Sequence, residues 1–222
     1  MKIGIILQAR MGSSRLPGKV LMPLGGKAMI LRIADSLKQI RNANSMIVAI
    51  PDSQEDDVLN QTLLDSNHIV YRGSQYDVLD RYYQCSIKHK FDAILRATGD
   101  NPFVDVTEGE LLIDFFIKNR YDYACAFPAF GSRLPVGVGL EIFTKQALER
   151  SWKEGLLPHH REHVNEYIQE NRHLFNFGVY EGKNEKDLSW FSLTVDTYKD
   201  YSLAQYIYDR FLYQSEISHS DQ

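Results

Sequence analysis

Apolar and polar positions along the chain switch repeatedly between a strand-like and a helix-like period. Residues 3–7 form a continuous apolar run of strand length, the pattern of a strand buried on both faces. A loop rich in Gly, Ser and Pro follows over 8–26, after which Ile30, Ile33, Ala34, Leu37 and Ile40 recur at helical spacing. A second apolar run, 46–50, stops at Pro51-Asp52, and Val58, Leu59, Thr62 and Leu63 mark the next helix face. Residues 68–71 predict a short strand, Val78, Leu79, Tyr82, Tyr83 and Ile87 a helix, and 93–96 a strand broken at 99–102. A helix marked by Leu111, Leu112, Phe115 and Phe116 and a strand over 123–127 complete this part.

The alternation predicts an α/β fold: a doubly wound, mostly parallel sheet. Beyond it the pattern changes. Residues 128–139 are rich in Gly and Pro and read as an arm or excursion. Strands are predicted over 140–143, 175–180 and 191–195, and helices over 145–152, 161–169 and 203–212. The chain reads as one domain over 1–214, with the arm near 128–145 and a flexible tail over 215–222. Tyr201, Tyr206, Tyr208, Phe211 and Tyr213 read as core and interface rather than as a stacking platform.

Composition narrows the picture. With 222 residues, 44% of them hydrophobic, the chain buries a core without disulfide staples. Cys85 and Cys125 sit far apart in no paired motif and read as free thiols in a reducing compartment. No run approaches the ~18 apolar residues of a membrane span, and the first residues lack the layout of a signal peptide. A cytoplasmic protein with no membrane partner is the expectation. The formal charge of -4 argues against nucleic acid as a partner. Any polyanion must therefore meet positive charge gathered locally.

The loop after the first strand gathers it. Arg10, Arg15 and Lys19 fall within ten residues together with Gly12, Gly18, Ser13 and Ser14. In an open α/β sheet this loop lies where ligands bind. Gly12 permits close backbone approach, successive amides can cradle an anion, and the three cations can neutralise a triphosphate. It is no Walker loop, because Gly12 and Gly18 are one residue too far apart and Val20 replaces the Ser/Thr. Two aspartates complement it. Asp100 and Asp196 each follow a predicted strand, where their carboxylates can converge on Mg²⁺ and phosphate oxygens. The alternative leaves Asp196 as a helix N-cap and Asp100 as a turn residue. His159 and His163 stand four apart, but no Glu sits where the zinc-helix motif requires one.

Residues 8–19, Gln-Ala-Arg-Met-Gly-Ser-Ser-Arg-Leu-Pro-Gly-Lys, resemble the signature loop of the cytidylyltransferases that activate acylneuraminate and 3-deoxy-manno-octulosonate. The likeness is greatest to the spore-coat polysaccharide branch. It continues through Arg72-Gly73-Ser74, Asp77 to Arg81, Arg96 to Pro102, Arg161-Glu162-His163-Val164 and Thr194 to Thr197, in order over nearly the whole chain. The resemblance implies a Rossmann-like nucleotide-diphospho-sugar transferase fold and activation of a sugar or sugar acid with CTP and Mg²⁺. It implies that Gln8, Ala9, Arg10, Gly12, Ser13, Arg15 and Lys19 hold the nucleotide, with Arg10, Arg15, Lys19 and Asp100 catalytic. It assigns the metal to Asp100 and Asp196, and the base or ribose to Arg72 and Gly73. Residues 77–81 are implied for the base or ribose as well, the alternative being a surface role in which Asp77 caps a helix and Arg81 pairs outside. Glu141, Arg161 and His163 are implied on the sugar side, and the arm is implied to make a homodimer. The rival readings are a glycosyltransferase, although no Asp-x-Asp occurs, and a non-catalytic nucleotide-binding protein.

Overall fold

A computed structural model places the apolar runs in one sheet and the amphipathic segments on its two faces. It describes the backbone of residues 1–220 and the side chains of residues 1–210. The chain begins with β1 (Ile3–Gln8), a small hairpin of β2 (Pro23–Leu24) and β3 (Lys27–Ala28), and α1 (Met29–Leu37). Then come β4 (Ser45–Pro51), α2 (Asp57–Asp65), β5 (Ile69–Gly73), α3 (Val78–His89), β6 (Ala93–Thr98) and α4 (Val106–Asn119). The second half holds β7 (Tyr123–Cys125), β8 (Glu141–Thr144), α5 (Lys145–Glu154), α6 (Pro158–Glu162), α7 (Glu166–Glu170), β9 (Phe177–Val179) and α8 (Tyr198–Ser220).

The sheet runs β5-β4-β1-β6-β8-β7-β9. Strands β5, β4, β1 and β6 pair in parallel, β8 runs antiparallel to both β6 and β7, and β7 pairs in parallel with β9. This is the doubly wound, mostly parallel sheet that the alternation predicts. The side-chain period of two sends Ile3, Ile5 and Leu7 of β1 into a core with α1, α2 and α4, and Ile6 into a second core with α3 and α5. Gly4 is required on the latter face, since a Cβ there would lie 2.2 Å from the Phe91 ring.

Four expectations differ. The segment 191–195 joins no sheet. Its backbone bonds go to loops (Leu193 N–H to Val136 O, 2.8 Å; Val195 N–H to Asp100 O, 2.8 Å), with only an isolated bridge between Val136 and Ser192. The helix predicted over 161–169 breaks at His163, whose extended backbone separates α6 from α7. The arm boundary near 128–145 reaches too far, because Glu141–Thr144 is an inner strand between β6 and β7. Only 128–139 remains an excursion. The helix expected over 203–212 spans Tyr198–Ser220, so its backbone continues through most of the stretch expected to be a loose tail. Side chains from 211 on, Phe211 and Tyr213 included, lie outside the described residues. No helix among the described residues is long and apolar enough to cross a membrane.

Candidate active site

The order of strands reverses between β1 and β6, so their carboxyl ends open a crevice that no crossover covers. The loop after β1 folds over it. Ala9 N–H bonds Ala49 O (3.2 Å), and the buried Asp56 carboxylate accepts from Met11 N–H (2.8 Å). Ser13 and Gly18 N–H both bond Met11 O at 2.9 Å, closing the loop on itself. Gly18 adopts a φ of 70°, a left-handed conformation that suits glycine, and feeds a short 3₁₀ turn that aims Lys19 inward. On the facing strand Gly99 N–H bonds Gln8 O at 2.8 Å, and a Cβ on Gly99 would stand 3.1 Å from that same oxygen. Glycine therefore lets the two strand ends approach closely.

Lys19, 8% exposed, anchors the centre of the site. Its ammonium donates to Val195 O (2.8 Å) and Asp196 Oδ1 (3.0 Å) and reaches Asp100 Oδ2 at 3.4 Å. Asp196 Oδ2 also pairs with Arg15 Nη2 at 2.8 Å. Asp100 Oδ1 accepts from the Thr98 hydroxyl at 2.6 Å. Asp196 is not the cap of α8: Thr197 holds that position, its Oγ1 accepting from Asp200 N–H (3.4 Å) while the Asp200 carboxylate accepts from Thr197 N–H (2.8 Å). The two carboxylates thus converge on one cation, as a shared metal site requires.

These groups line a cavity of about 340 Å³. Gln8, Ala9, Arg10, Ser13, Arg15, Lys19, Asp100, Asp196 and His163 all border it. The groups whose convergence mattered most, Arg10, Arg15, Lys19, Asp100 and Asp196, therefore share one pocket. Arg10 faces Glu162 across it at 3.9 Å. Gly12 turns instead toward Glu55, whose carboxylate would lie 3.4 Å from a Cβ there.

Four more of the implied site residues stand outside the cavity. The Arg72 guanidinium is held by Asp52 (2.9 Å), Asp57 (2.5 Å) and Ser53 O (2.7 Å), away from the cavity. The Asp57 hydrogen bond is the main cause that pushes its pKa up. Gly73 packs against the Tyr71 ring and the Arg81 stem, so a side chain there would collide with both. Arg161 pairs with Asp77 at 3.4 Å and donates to Trp152 O at 3.2 Å, tying α6 to the start of α3. Glu141 does not face a sugar pocket. It is 1% exposed and accepts from Arg96 Nη1 and from the Tyr123 hydroxyl, both at 2.5 Å. Burial works against the Arg96 charge, but Glu141 outweighs it and pushes the pKa up. Burial and Glu141 together raise the Tyr123 pKa well above its usual value.

The zinc pairing of His159 with His163 does not form. His159 and His160 instead place their Nε2 atoms 2.9 and 2.7 Å from the two oxygens of Glu170, clamping α6 to α7. The pocket also contains a residue that sequence reasoning passed over: Arg96 lines it from β6, and an arginine inside an apolar strand was the signal for it. Arg81, weighed in the sequence between the base or ribose and a surface pair, lines the cavity from α3 and is 1% exposed, so it does not pair at the surface. A second cavity of about 410 Å³ meets the first at Thr98 and Asp100, walled by Phe127, Phe130, Asn165 and Gln169 among others. It has no basic residue among those lining it.

Comparison with known proteins agrees with this fold. The profile of the cytidylyltransferase family matches residues 4–217. The spore coat polysaccharide biosynthesis protein SpsF of Bacillus subtilis is 31% identical over 221 residues, covering 97% of this chain and 90% of that protein. A cytidylyltransferase structure from Leptospira borgpetersenii superposes with a TM-score of 0.86 at 34% identity, covering 92% of this chain and 85% of that one. The CTP complex of a CMP:2-keto-3-deoxy-manno-octonic acid synthetase shares the fold, with a TM-score of 0.71 at 17% identity and coverage of 95% and 99%. A cationic loop and two convergent aspartates at the switch point, on a chain matched almost end to end, place this protein in the cytidylyltransferase family.

Proposed function

We propose that the protein transfers CMP from CTP to a hydroxyl group of a sugar or sugar acid, with release of pyrophosphate. The observation that carries this reading is the Lys19 ammonium lying between Asp100 and Asp196, beside Arg15, with Asp100 also bordering a second cavity. The first cavity has the charge to seat a triphosphate. The second borders Asp100 and gives an acceptor a place next to the reacting phosphorus.

In the proposed reaction the acceptor oxygen bonds to the α-phosphorus, the bridging bond to the β-phosphate breaks, and the hydroxyl proton is lost to solvent. Arg10, Arg15 and Lys19 neutralise charge growing on the leaving pyrophosphate. Such fixed cations act without reorganising during the step. Holding acceptor and nucleotide in adjoining cavities supplies the orientation. Asp100 and Asp196 fit as carboxylate ligands for Mg²⁺, since both already direct oxygens at one cation. Bound there, the metal supplies charge neutralisation at the phosphate oxygens. The absence of an Asp-x-Asp pair keeps the glycosyltransferase reading without support.

Calorimetry with CTP and Mg²⁺, followed by pyrophosphate release across a panel of neutral and acidic sugars, tests the reading. CTP binding plus acceptor-dependent pyrophosphate is the expected result. UDP or GDP release from a nucleotide sugar, or no affinity for CTP, would overturn it.

A further inference from the structure

We infer that the acceptor is an uncharged sugar held through its hydroxyl groups, and that Gln169 and Thr194 select it as hydrogen-bond acceptors; the assignment rests on the CMP-transfer reading above. The carboxylates of Glu141 and Asp100 each start a directional chain of hydrogen bonds that ends in the second cavity. Glu141, paired with Arg96, can only accept, so the Tyr123 hydroxyl donates to it (2.5 Å). Burial and Glu141 raise the Tyr123 pKa, so that proton stays in place. The Tyr123 oxygen is left to accept, and it receives the Gln169 amide N–H at 2.9 Å. That bond fixes which way the amide points. The Gln169 side-chain oxygen has no hydrogen-bond partner among the described residues, and Gln169 lines the cavity.

The second chain obeys the same rule. The Thr98 hydroxyl donates to Asp100 (2.6 Å), its oxygen accepts from the Asn101 amide N–H (2.9 Å), and the Asn101 oxygen accepts from the Thr194 hydroxyl (2.9 Å). Thr194 has thereby spent its proton and offers the cavity only lone pairs. Two separate chains turn acceptor oxygens toward one space, so a ligand that answers them must bring donors. Charge agrees. Among the described residues lining this cavity none is basic, and Asp100 is the only ionisable one; Asn165 adds an uncharged amide. Arg172 stacks on the Phe130 and Phe177 rings (4.3 and 5.0 Å) and does not border the cavity. A carboxylate seated there would lose its water with no cation in exchange and would face oxygen lone pairs. Sugar hydroxyls donate instead, and the rings of Phe127 and Phe130 suit the C–H face of a sugar.

The test is pyrophosphate release with CTP and Mg²⁺ for matched acceptors: mannose with mannuronic acid, galactose with galacturonic acid, and 3-deoxy-manno-octulosonate with its primary amide. We expect the neutral member of each reacting pair to show the higher kcat/KM by at least about fivefold, the cost of leaving hydrogen-bonding groups unpaired. Gln169→Leu should raise the acceptor KM by at least about fivefold and narrow that preference, while CTP affinity holds. Tyr123→Phe leaves Gln169 in place but frees its amide to turn, so the preference should narrow there too, which a loss of packing alone would not produce. An acid that reacts as well as its neutral partner or better, or an unchanged acceptor KM in Gln169→Leu, overturns the assignment. Should Tyr123→Phe not fold, Gln169→Leu and the matched pairs decide. No CTP binding, or no turnover of any acceptor, overturns the proposed function and this assignment with it. Turnover of acids alone leaves that function standing and removes only this assignment.

Discussion

Replacing Glu141 with glutamine separates a structural role for this residue from a direct role in sugar binding. The change is nearly isosteric and removes one negative charge from a residue 1% exposed. Arg96 Nη1, 2.5 Å away, loses its counter-ion, and the Tyr123 hydroxyl, also at 2.5 Å, loses its carboxylate acceptor. Breaking a buried ion pair from one side costs about 3–5 kcal/mol. Arg96 keeps 12% of its side chain exposed, toward the cavity, so water softens the loss to about 3 kcal/mol. At about 2–4 °C per kcal/mol for a chain of this length, Tm should fall by about 6–12 °C. Differential scanning calorimetry with a parallel urea melt reads this directly. Combining Arg96→Met with Glu141→Leu should recover most of the stability, because an apolar pair needs no desolvation of charge, yet CTP turnover should stay low because Arg96 lines the pocket. A variant Glu141→Gln that melts within about 2 °C of wild type while its acceptor KM rises would refute the buried-network account.

Asp100→Asn should lower kcat by at least about a hundredfold with little change in Tm, measured as pyrophosphate release beside a melting curve. Arg72→Ala should leave CTP affinity unchanged and cost no more than about 1 kcal/mol, since its ion pairs are partly solvated; urea melts and calorimetry check both. Gly137, at φ 87°, borders the second cavity, and a Cβ there would lie 2.7 Å from Thr194 Oγ1. Gly137→Ala should therefore raise the acceptor KM and cost about 1–3 kcal/mol, while CTP affinity is retained. Asp105 caps α4 and pairs with Lys186; burial opposes its charge, but the hydrogen bond and charge of Lys186 together with the backbone N–H groups of Glu108 and Thr107 outweigh it and hold the pKa below 3.8. A depressed folded pKa stabilises above the unfolded value and is lost as pH falls through the folded one. The Tm advantage of wild type over Asp105→Asn should thus be full at pH 6 and vanish as pH drops below about 3.8.

Much of the architecture was written in the order of residues. Runs such as 3–7 and 46–50 are apolar at every position, which only a strand covered on both faces tolerates, and the helices between them carry a single apolar stripe. Those periods determine a doubly wound sheet, and that topology places the Arg10 to Lys19 loop at its switch point. The position of β8 inside the sheet was not readable, because strand order depends on which edges pair across distance rather than on local period. The same limit applied to 191–195, where an apolar run of strand length found loops, not a strand, as its hydrogen-bond partners.

At the site, chemistry and spacing marked the groups that approach from loops, since a loop dense in Arg, Lys, Gly and Ser has few other uses. Residue type alone did not separate Arg72 from Arg81. Both are arginines near the β5–α3 turn, and only the folded chain brings Asp52 and Asp57 to the first while leaving the second buried without a carboxylate beside it. Glu141 follows the same rule in reverse: an acidic residue fit for a sugar pocket is occupied by Arg96 and Tyr123 beneath the floor. Sequence set which charges the protein owns and on which elements they ride. Tertiary structure decided which of them cancel one another and which remain free for a ligand, because ion pairing depends on distances of a few ångströms between segments far apart in the chain.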